Sequence, residues 1–209
     1  KTIASIGSGA SAIQYVPELA KITKQLNVFQ RTPQHIFAKG DRANAQQDQS
    51  TTLWQKLSHR RERLQLFTRF EKNSRRRSSE ELTQKSAEAF EKYIRGLVDD
   101  AEMLKKVLPD YPPGCKRGLR SDDWYPTLLK PNVNLIDTPI DAITETGIRT
   151  KDGEHHNVDA IIYGTGFTPT AFLTPMQITG ANGQDLNHSW RDGAEAYLGI
   201  SVSGFPNFF

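Results

Sequence analysis

Cysteine is all but missing. Cys115 is the single one among 209 residues, which excludes an internal disulfide and a thiol-built metal site. Long apolar runs are missing too. No stretch nears the roughly 18 residues that a membrane-spanning helix needs, and no leader of the secretory kind is visible. A reducing cytoplasm is the expected setting, with no membrane partner. Strong charge of one sign is lacking: 27 Lys and Arg stand against 24 Asp and Glu, a net +3. That bias is too small to indicate nucleic acid. No zinc-ligand spacing and no G-x-S-x-G elbow occurs. His155 and His156 adjoin, but neighbouring strand positions point to opposite faces. His35, His59 and His188 have no obvious partners, so no metal is expected. Between 41 and 108 glycine is reduced to Gly96 and proline is absent.

What is present is concentrated at the start. The apolar run Ile3 to Ile6 reads as a buried strand, it ends in Gly7-x-Gly9-x-x-Ala12, and a helical stretch follows from Ala12 to Lys21. Strand, glycine turn and helix in that order are the context of a dinucleotide fingerprint. Gly7 permits the tight turn, Gly9 lets the backbone approach a pyrophosphate, and Ala12 allows close helix–strand packing. The helix dipole would add to the attraction for phosphate. Pro17 lies inside the helix and is expected to bend it by removing one hydrogen bond.

Leu26-Asn-Val-Phe29 reads as a second strand and completes a βαβ unit. An NAD site places Asp or Glu on the ribose about 20 residues past the glycines. The equivalent stretch here, Val28-Phe-Gln-Arg31-Thr32-Pro33, holds no acid. A guanidinium grips a 2′-phosphate bidentately where a carboxylate would repel it, so Arg31 points to NADP(H). A solvated arginine after a strand has the same spacing.

Residues 41–108 read as a helical insertion. Leu53, Leu57, Leu64 and Phe67 recur at helical spacing, as do Phe90, Ile94, Leu97, Leu104 and Leu108. Two or three helices are expected, broken near Asn73–Ser79, with the second starting at Ser79. The arginines at 60, 61, 63 and 75–77 interleave with Glu62, Glu71, Glu80 and Glu81 and read as a solvated face. Pro109, Pro112, Pro113 and Gly114 then forbid a regular element. The cations Lys116 and Arg117 follow that stiff loop with glycines on both sides, which suits an anion site or equally a solvated loop. Asn134–Asp137 reads as a strand. Ile143–Thr150 and His155–Tyr163 read as strands joined around Lys151-Asp-Gly153, a hairpin pattern. Trp124, Trp190 and Tyr197 read as packing or pocket walls. Lys1 in place of Met, and the apolar end Gly204-Phe-Pro-Asn-Phe-Phe209, read as the limits of an excised fragment.

Ile6-Gly-Ser-Gly-Ala-Ser-Ala12 followed by Phe29-Gln-Arg-Thr-Pro33 resembles the NADPH-binding half of the Baeyer–Villiger monooxygenases, within the flavin-containing monooxygenase superfamily. Cys115-Lys-Arg-Gly118 with Tyr125 and Lys130-Pro-Asn-Val133 is similar to the family segment that supplies cofactor-contacting and catalytic cations. Tyr163-Gly-Thr-Gly-Phe167 is similar to its "ATGF" strand end, with Gly164 where Ala is usual. Trp190-Arg-Asp-Gly193, Tyr197-Leu-Gly199 and Gly204-Phe-Pro-Asn207 are similar to its later segment. Asp110-Tyr-Pro-Pro-Gly-Cys-Lys-Arg117 looks most like the 4-hydroxyacetophenone monooxygenase branch.

The resemblance implies an α/β fold: a Rossmann-like domain at 1–150 with a parallel sheet and the helical insertion, then returning strands and the start of an FAD-side segment at 151–209, including a β-hairpin or meander. It implies an enzyme in which NADPH reduces FAD and one oxygen of O2 enters a ketone, giving an ester or lactone. Gly7, Ser8, Gly9, Ala10 and Ser11 would hold the pyrophosphate. Arg31, Thr32 and Lys116 would surround the 2′-phosphate. Gln30, Thr165 and Gly166 would also contact cofactor, and Arg117 would be the catalytic cation. The family's N-terminal FAD fingerprint and its F-x-G-x-x-x-H-x-x-x-W/P segment do not occur here, so the chain alone is expected to be inactive. An N- or S-oxygenating relative and a non-catalytic NADP-binding module are the alternatives.

Overall fold

The computed structural model describes residues 1–40, 53–76, 79–168, 170, 172–173 and 175–209. They form two compact units, Lys1–Gly166 and Phe167–Phe209. The first part of the expected insertion, and Arg77 of the arginine tract, lie outside the described residues.

The first unit is built on a parallel sheet. β1 (Thr2–Ile6) leads through α1 (Ala12–Ile22) to β2 (Gln25–Phe29). β1 and β2 pair in register from Thr2 and Gln25 to Ile6 and Phe29. A short β3 (Ile36–Phe37) follows. Three helices come next, α2 (Leu53–Arg76), α3 (Glu80–Arg95) and α4 (Ala101–Val107), then β4 (Leu119–Arg120), α5 (Trp124–Leu128) and β5 (Val133–Ile136). β5 lies beside β2. The chain then makes the antiparallel strands β6 (Ile140–Ile143), β7 (Gly147–Thr150) and β8 (His155–Asn157) and returns as β9 (Ala160–Tyr163) on the other flank of β1. The sheet order is β5-β2-β1-β9, with β6-β7-β8 as a separate meander.

Side chains alternate across the sheet because successive strand residues point to opposite faces. Leu26, Val28 and Leu135 join α1, α3, α4 and α5 in one core, through Ile13, Val16, Phe90, Ile94, Val107 and Trp124. Ala4, Phe29 and Ile136 face the other way, against Ile148 of the meander. Helices therefore cover one face and the meander covers the opposite one. α1 runs through Pro17, whose ring is buried.

Two strand readings need correction. Ile143–Thr150 is not one strand. Thr144 and Gly147 make a turn in which the Thr144 N–H donates to the Gly147 carbonyl (2.9 Å) and the Gly147 N–H to Thr144 Oγ1 (3.1 Å). A Cβ on Gly147 would sit 2.0 Å from the His156 carbonyl oxygen, so the β7–β8 approach requires glycine. His155–Tyr163 is likewise two strands in two sheets. Past Asn157, the Asp159 N–H donates to the Thr2 carbonyl (2.8 Å), while its carboxylate accepts from the Thr2 N–H (2.7 Å). That double grip carries the chain from the meander to the parallel sheet. The expected hairpin at Lys151-Asp-Gly153 does form, between β7 and β8, with Gly153 at φ +88°.

The helices between β3 and β4 are of two kinds. α3 and α4 dock, burying Phe90, Ile94, Val98 and Val107. α2 keeps Trp54, Leu64, Phe67 and Phe70 exposed, along with Arg60, Arg61 and Arg63. In the second unit, Leu186 of α6 (Leu186–Ser189) and Phe205 are buried, and the Trp190 ring packs edge-on against Phe172 and Phe208. Among the described residues no helix is long and apolar enough to cross a membrane.

Candidate functional site

Strand order reverses beside β1: the chain leaves β1 toward β2 and β5, and returns to it as β9. In open parallel sheets, ligands bind at such a point, outside the carboxyl ends of the strands. Here that end carries the glycine turn from β1 and Gly164-Thr165-Gly166 from β9. Gly7 has φ +114°, a conformation that glycine adopts without steric cost. A Cβ there would lie 2.4 Å from the Gly164 carbonyl oxygen. The Gly7 N–H donates to the Phe29 carbonyl (2.9 Å) and the Gly164 N–H to the Ile6 carbonyl (2.8 Å). The turn is thus tied to both neighbouring strands. Gly9 differs: a Cβ there would meet nothing within 4 Å, so its backbone faces open space. The first turn of α1 has no side-chain cap and no acidic residue, which leaves the positive end of the helix dipole unopposed by a carboxylate.

The segment after β2 closes onto this turn. Ser8 is buried, and its Oγ donates to the Thr32 carbonyl at 3.3 Å. Arg31 is exposed and Thr32 half-buried. Among the described residues Arg31 makes no ion pair. Gln30 turns inward instead. It is buried, and its Nε2 donates to the Lys106 carbonyl of α4 at 2.7 Å. That amide is engaged in holding α4 to the end of β2.

The Lys116-Arg117 loop reaches the same region through β4. Parallel pairing of β3 with β4 sets Ile36 beside Leu119, and the Leu119 N–H donates to the His35 carbonyl at 2.8 Å. The Tyr111 hydroxyl donates to the Pro33 carbonyl at 2.9 Å. Lys116 Nζ stands 4.5 Å from the centre of the Tyr111 ring. Arg31, Thr32 and Lys116 are therefore linked by short bridges, although 84 positions separate Thr32 from Lys116. Arg117 and Cys115 are exposed beside Lys116, and Thr165 and Gly166 are exposed past β9. Tyr125 is not in this group. It is buried in α5, where loss of solvent pushes its hydroxyl pKa far up. Asn132 caps the end of α1, its Nδ2 donating to the Ala20 and Thr23 carbonyls.

Sequence reasoning missed Tyr111 and His35. His35 is buried between Phe90 (4.8 Å), Phe37 (6.4 Å) and Tyr111 (5.1 Å). Burial lowers its pKa below the usual 6.5. The Tyr111 hydroxyl is raised by burial and by the nearby Asp110 carboxylate, which keeps it protonated and able to donate. The one available cue was the Phe90 periodicity, which marked an inward face without saying what it faced. Among the described residues no group of His, Cys, Asp and Glu could hold a metal ion.

No family model matches this chain. Over its whole length it is 38% identical to a Baeyer-Villiger monooxygenase from Pseudomonas aeruginosa, of which it covers 40%. It is 36% identical to the FAD-binding monooxygenase ktnD of Aspergillus niger, covering 34% of that protein. A phenazine N-monooxygenase from Lysobacter antibioticus is 28% identical, with 46% covered. The fold matches a structure of OTEMO in complex with FAD and NADP, with a TM-score of 0.79 and 27% identity, over all of this chain and 46% of that one. Oxidized steroid monooxygenase bound to NADP matches with a TM-score of 0.80 and 28% identity, over all of this chain and 47% of that one. The chain thus spans less than half the length of the proteins it resembles, and its α/β architecture is that of the matching segment.

Proposed function

We propose that this chain is the NADP(H)-binding part of an FAD-dependent monooxygenase that inserts one oxygen of O2 into a ketone, giving an ester or lactone, in the cytoplasm. Residues 1–150, with the insertion at 41–108, form the dinucleotide domain, and 151–209 carry the returning strands toward the FAD side. The observation that carries this reading is the bond from Ser8 Oγ to the Thr32 carbonyl. It brings a glycine turn against a segment that bears Arg31 and no carboxylate. The residues fit the cofactor: Gly9 leaves its backbone open, and the α1 start carries no acid. Gly7, Ser8, Gly9, Ala10 and Ser11 hold the pyrophosphate at the helix N-terminus. Arg31, Thr32 and Lys116 hold the 2′-phosphate, Arg31 through its planar fork. Gln30 shapes the site from below through α4, and Thr165 and Gly166 border it from β9.

FAD, when bound, supplies the oxygen-activating chemistry, and parts of the protein beyond this chain hold most of it. With that group bound, Arg117 would supply a fixed positive charge that stabilises negative charge developing in the reaction. A second reading, oxygenation of nitrogen or sulfur, is favoured by the likeness to a phenazine N-monooxygenase. The test uses the whole protein with FAD, NADPH and ¹⁸O-labelled O2, offered ketones, amines and sulfides. The expected product is an ester or lactone with one labelled oxygen. Arg117→Ala is expected to lower its formation about 10²–10³-fold, as for loss of one preorganised charge-stabilising group, while flavin reduction stays measurable. Labelled N- or S-oxides alone would establish the second reading. Full ester formation by the variant would remove Arg117 from the reaction.

A further inference from the structure

We propose that Tyr111 is a positioning residue for 2′-phosphate recognition, fixing Lys116 and the segment after Arg31 in one arrangement before the cofactor arrives. This rests on the NADP(H) reading above. Lys116 is exposed on a loop between Pro113 and Gly118, where a flexible four-carbon stem would otherwise sample many directions. The Tyr111 ring gives its ammonium a defined resting place at 4.5 Å, within the range of a cation–π contact. The other end of the same side chain holds the opposite loop, since its hydroxyl donates to the Pro33 carbonyl, two residues past Arg31.

Tyr111 can do this because it does not move freely. Its ring stands edge-on to His35 (79° between planes), which is itself buried against Phe90 of α3. The chain leaving Arg117 is fixed as well, by the Leu119 N–H on the His35 carbonyl. One aromatic side chain thus spans both cation-bearing loops and rests on the helical layer. Ordering Lys116 in advance lowers the entropy lost when phosphate binds, so Tyr111 acts on NADP⁺ more than on NAD⁺.

The test is titration of the intact protein with NADP⁺ and with NAD⁺, read as the ratio of their affinities. Tyr111→Leu is expected to lower that ratio about two- to five-fold, the size of an exposed cation–π contact. Tyr111→Phe, which keeps the ring, should retain most of it. In a Lys116→Met background, where no ammonium remains to be placed, Tyr111→Leu should lower the ratio by less, leaving only what the hydroxyl's hold on Pro33 contributes. A Tyr111→Leu effect of equal size with and without Lys116 would overturn the proposal, as would a ratio unchanged by Tyr111→Leu. Both outcomes leave the NADP(H) reading standing provided that the unmodified protein prefers NADP⁺. Equal affinity of the unmodified protein for both cofactors would overturn that reading and this proposal together.

Discussion

Gly164 and Tyr15 form a matched pair. The Tyr15 hydroxyl lies 2.9 Å from Ser5 Oγ on β1, and a Cβ on Gly164 would come within 2.5 Å of that same hydroxyl oxygen. The helix-borne tyrosine thus accounts for glycine at this position. Gly164→Ala is expected to cost about 1–3 kcal/mol, the usual cost of overpacking. Tyr15→Phe, which deletes the colliding oxygen, should recover part of that loss. Urea unfolding of both single variants and the double variant measures the coupling, and additive costs would show that the two do not compete for space. Gly7 could be assigned its role from sequence, because its turn is local. The reason for Gly164 could not, because Tyr15 reaches it only after α1 packs on the sheet.

At the scale of elements, helical periodicity predicted α2 and α3 alike, yet only α3 buries its apolar stripe. Spacing shows that a helix has two faces; whether a partner covers one depends on tertiary packing. The split of His155–Tyr163 between two sheets was hidden for a similar reason. Nothing local distinguishes His156, which packs in the meander, from Ile161, four residues beyond the strand end, which joins the parallel sheet. What α3 buries has a consequence for pH. His35 packs on Phe90, has no partner for Nδ1 among the described residues, and has its pKa lowered by burial. The unfolded chain therefore takes up the proton more readily. Stability contributed by neutral His35 is present above pH 6.5 and is lost as pH falls below it. Thermal melts from pH 7.5 to 5 should show this decline, and His35→Phe should flatten it while keeping the ring packing. Identical slopes for the two proteins would assign the decline to other groups.

For the molecule as a whole, the carboxyl end of the parallel sheet gathers the pieces. β1 delivers the glycine turn, β2 delivers Arg31 and Thr32, β9 delivers Thr165 and Gly166, and β4 brings in Lys116 and Arg117. The first two were legible as a βαβ unit, because both lie within one local motif. The Lys116 loop was legible only as a stiff basic loop: its tie to Pro33 runs through Tyr111 and a two-residue strand pair that no periodicity announces. The helical layer stands behind that tie: Phe90 of α3 packs on His35, and the Lys106 carbonyl of α4 accepts from Gln30. The central claim is that these elements converge on a 2′-phosphate. Calorimetric titration of the protein and of Arg31→Ala with NADP⁺ and NAD⁺ tests it most directly. A charge-assisted contact is worth about 1.5–3 kcal/mol, so the account predicts NADP⁺ preferred by roughly tenfold or more, with most of that preference lost in Arg31→Ala. Equal affinity for the two cofactors in the unmodified protein would contradict it.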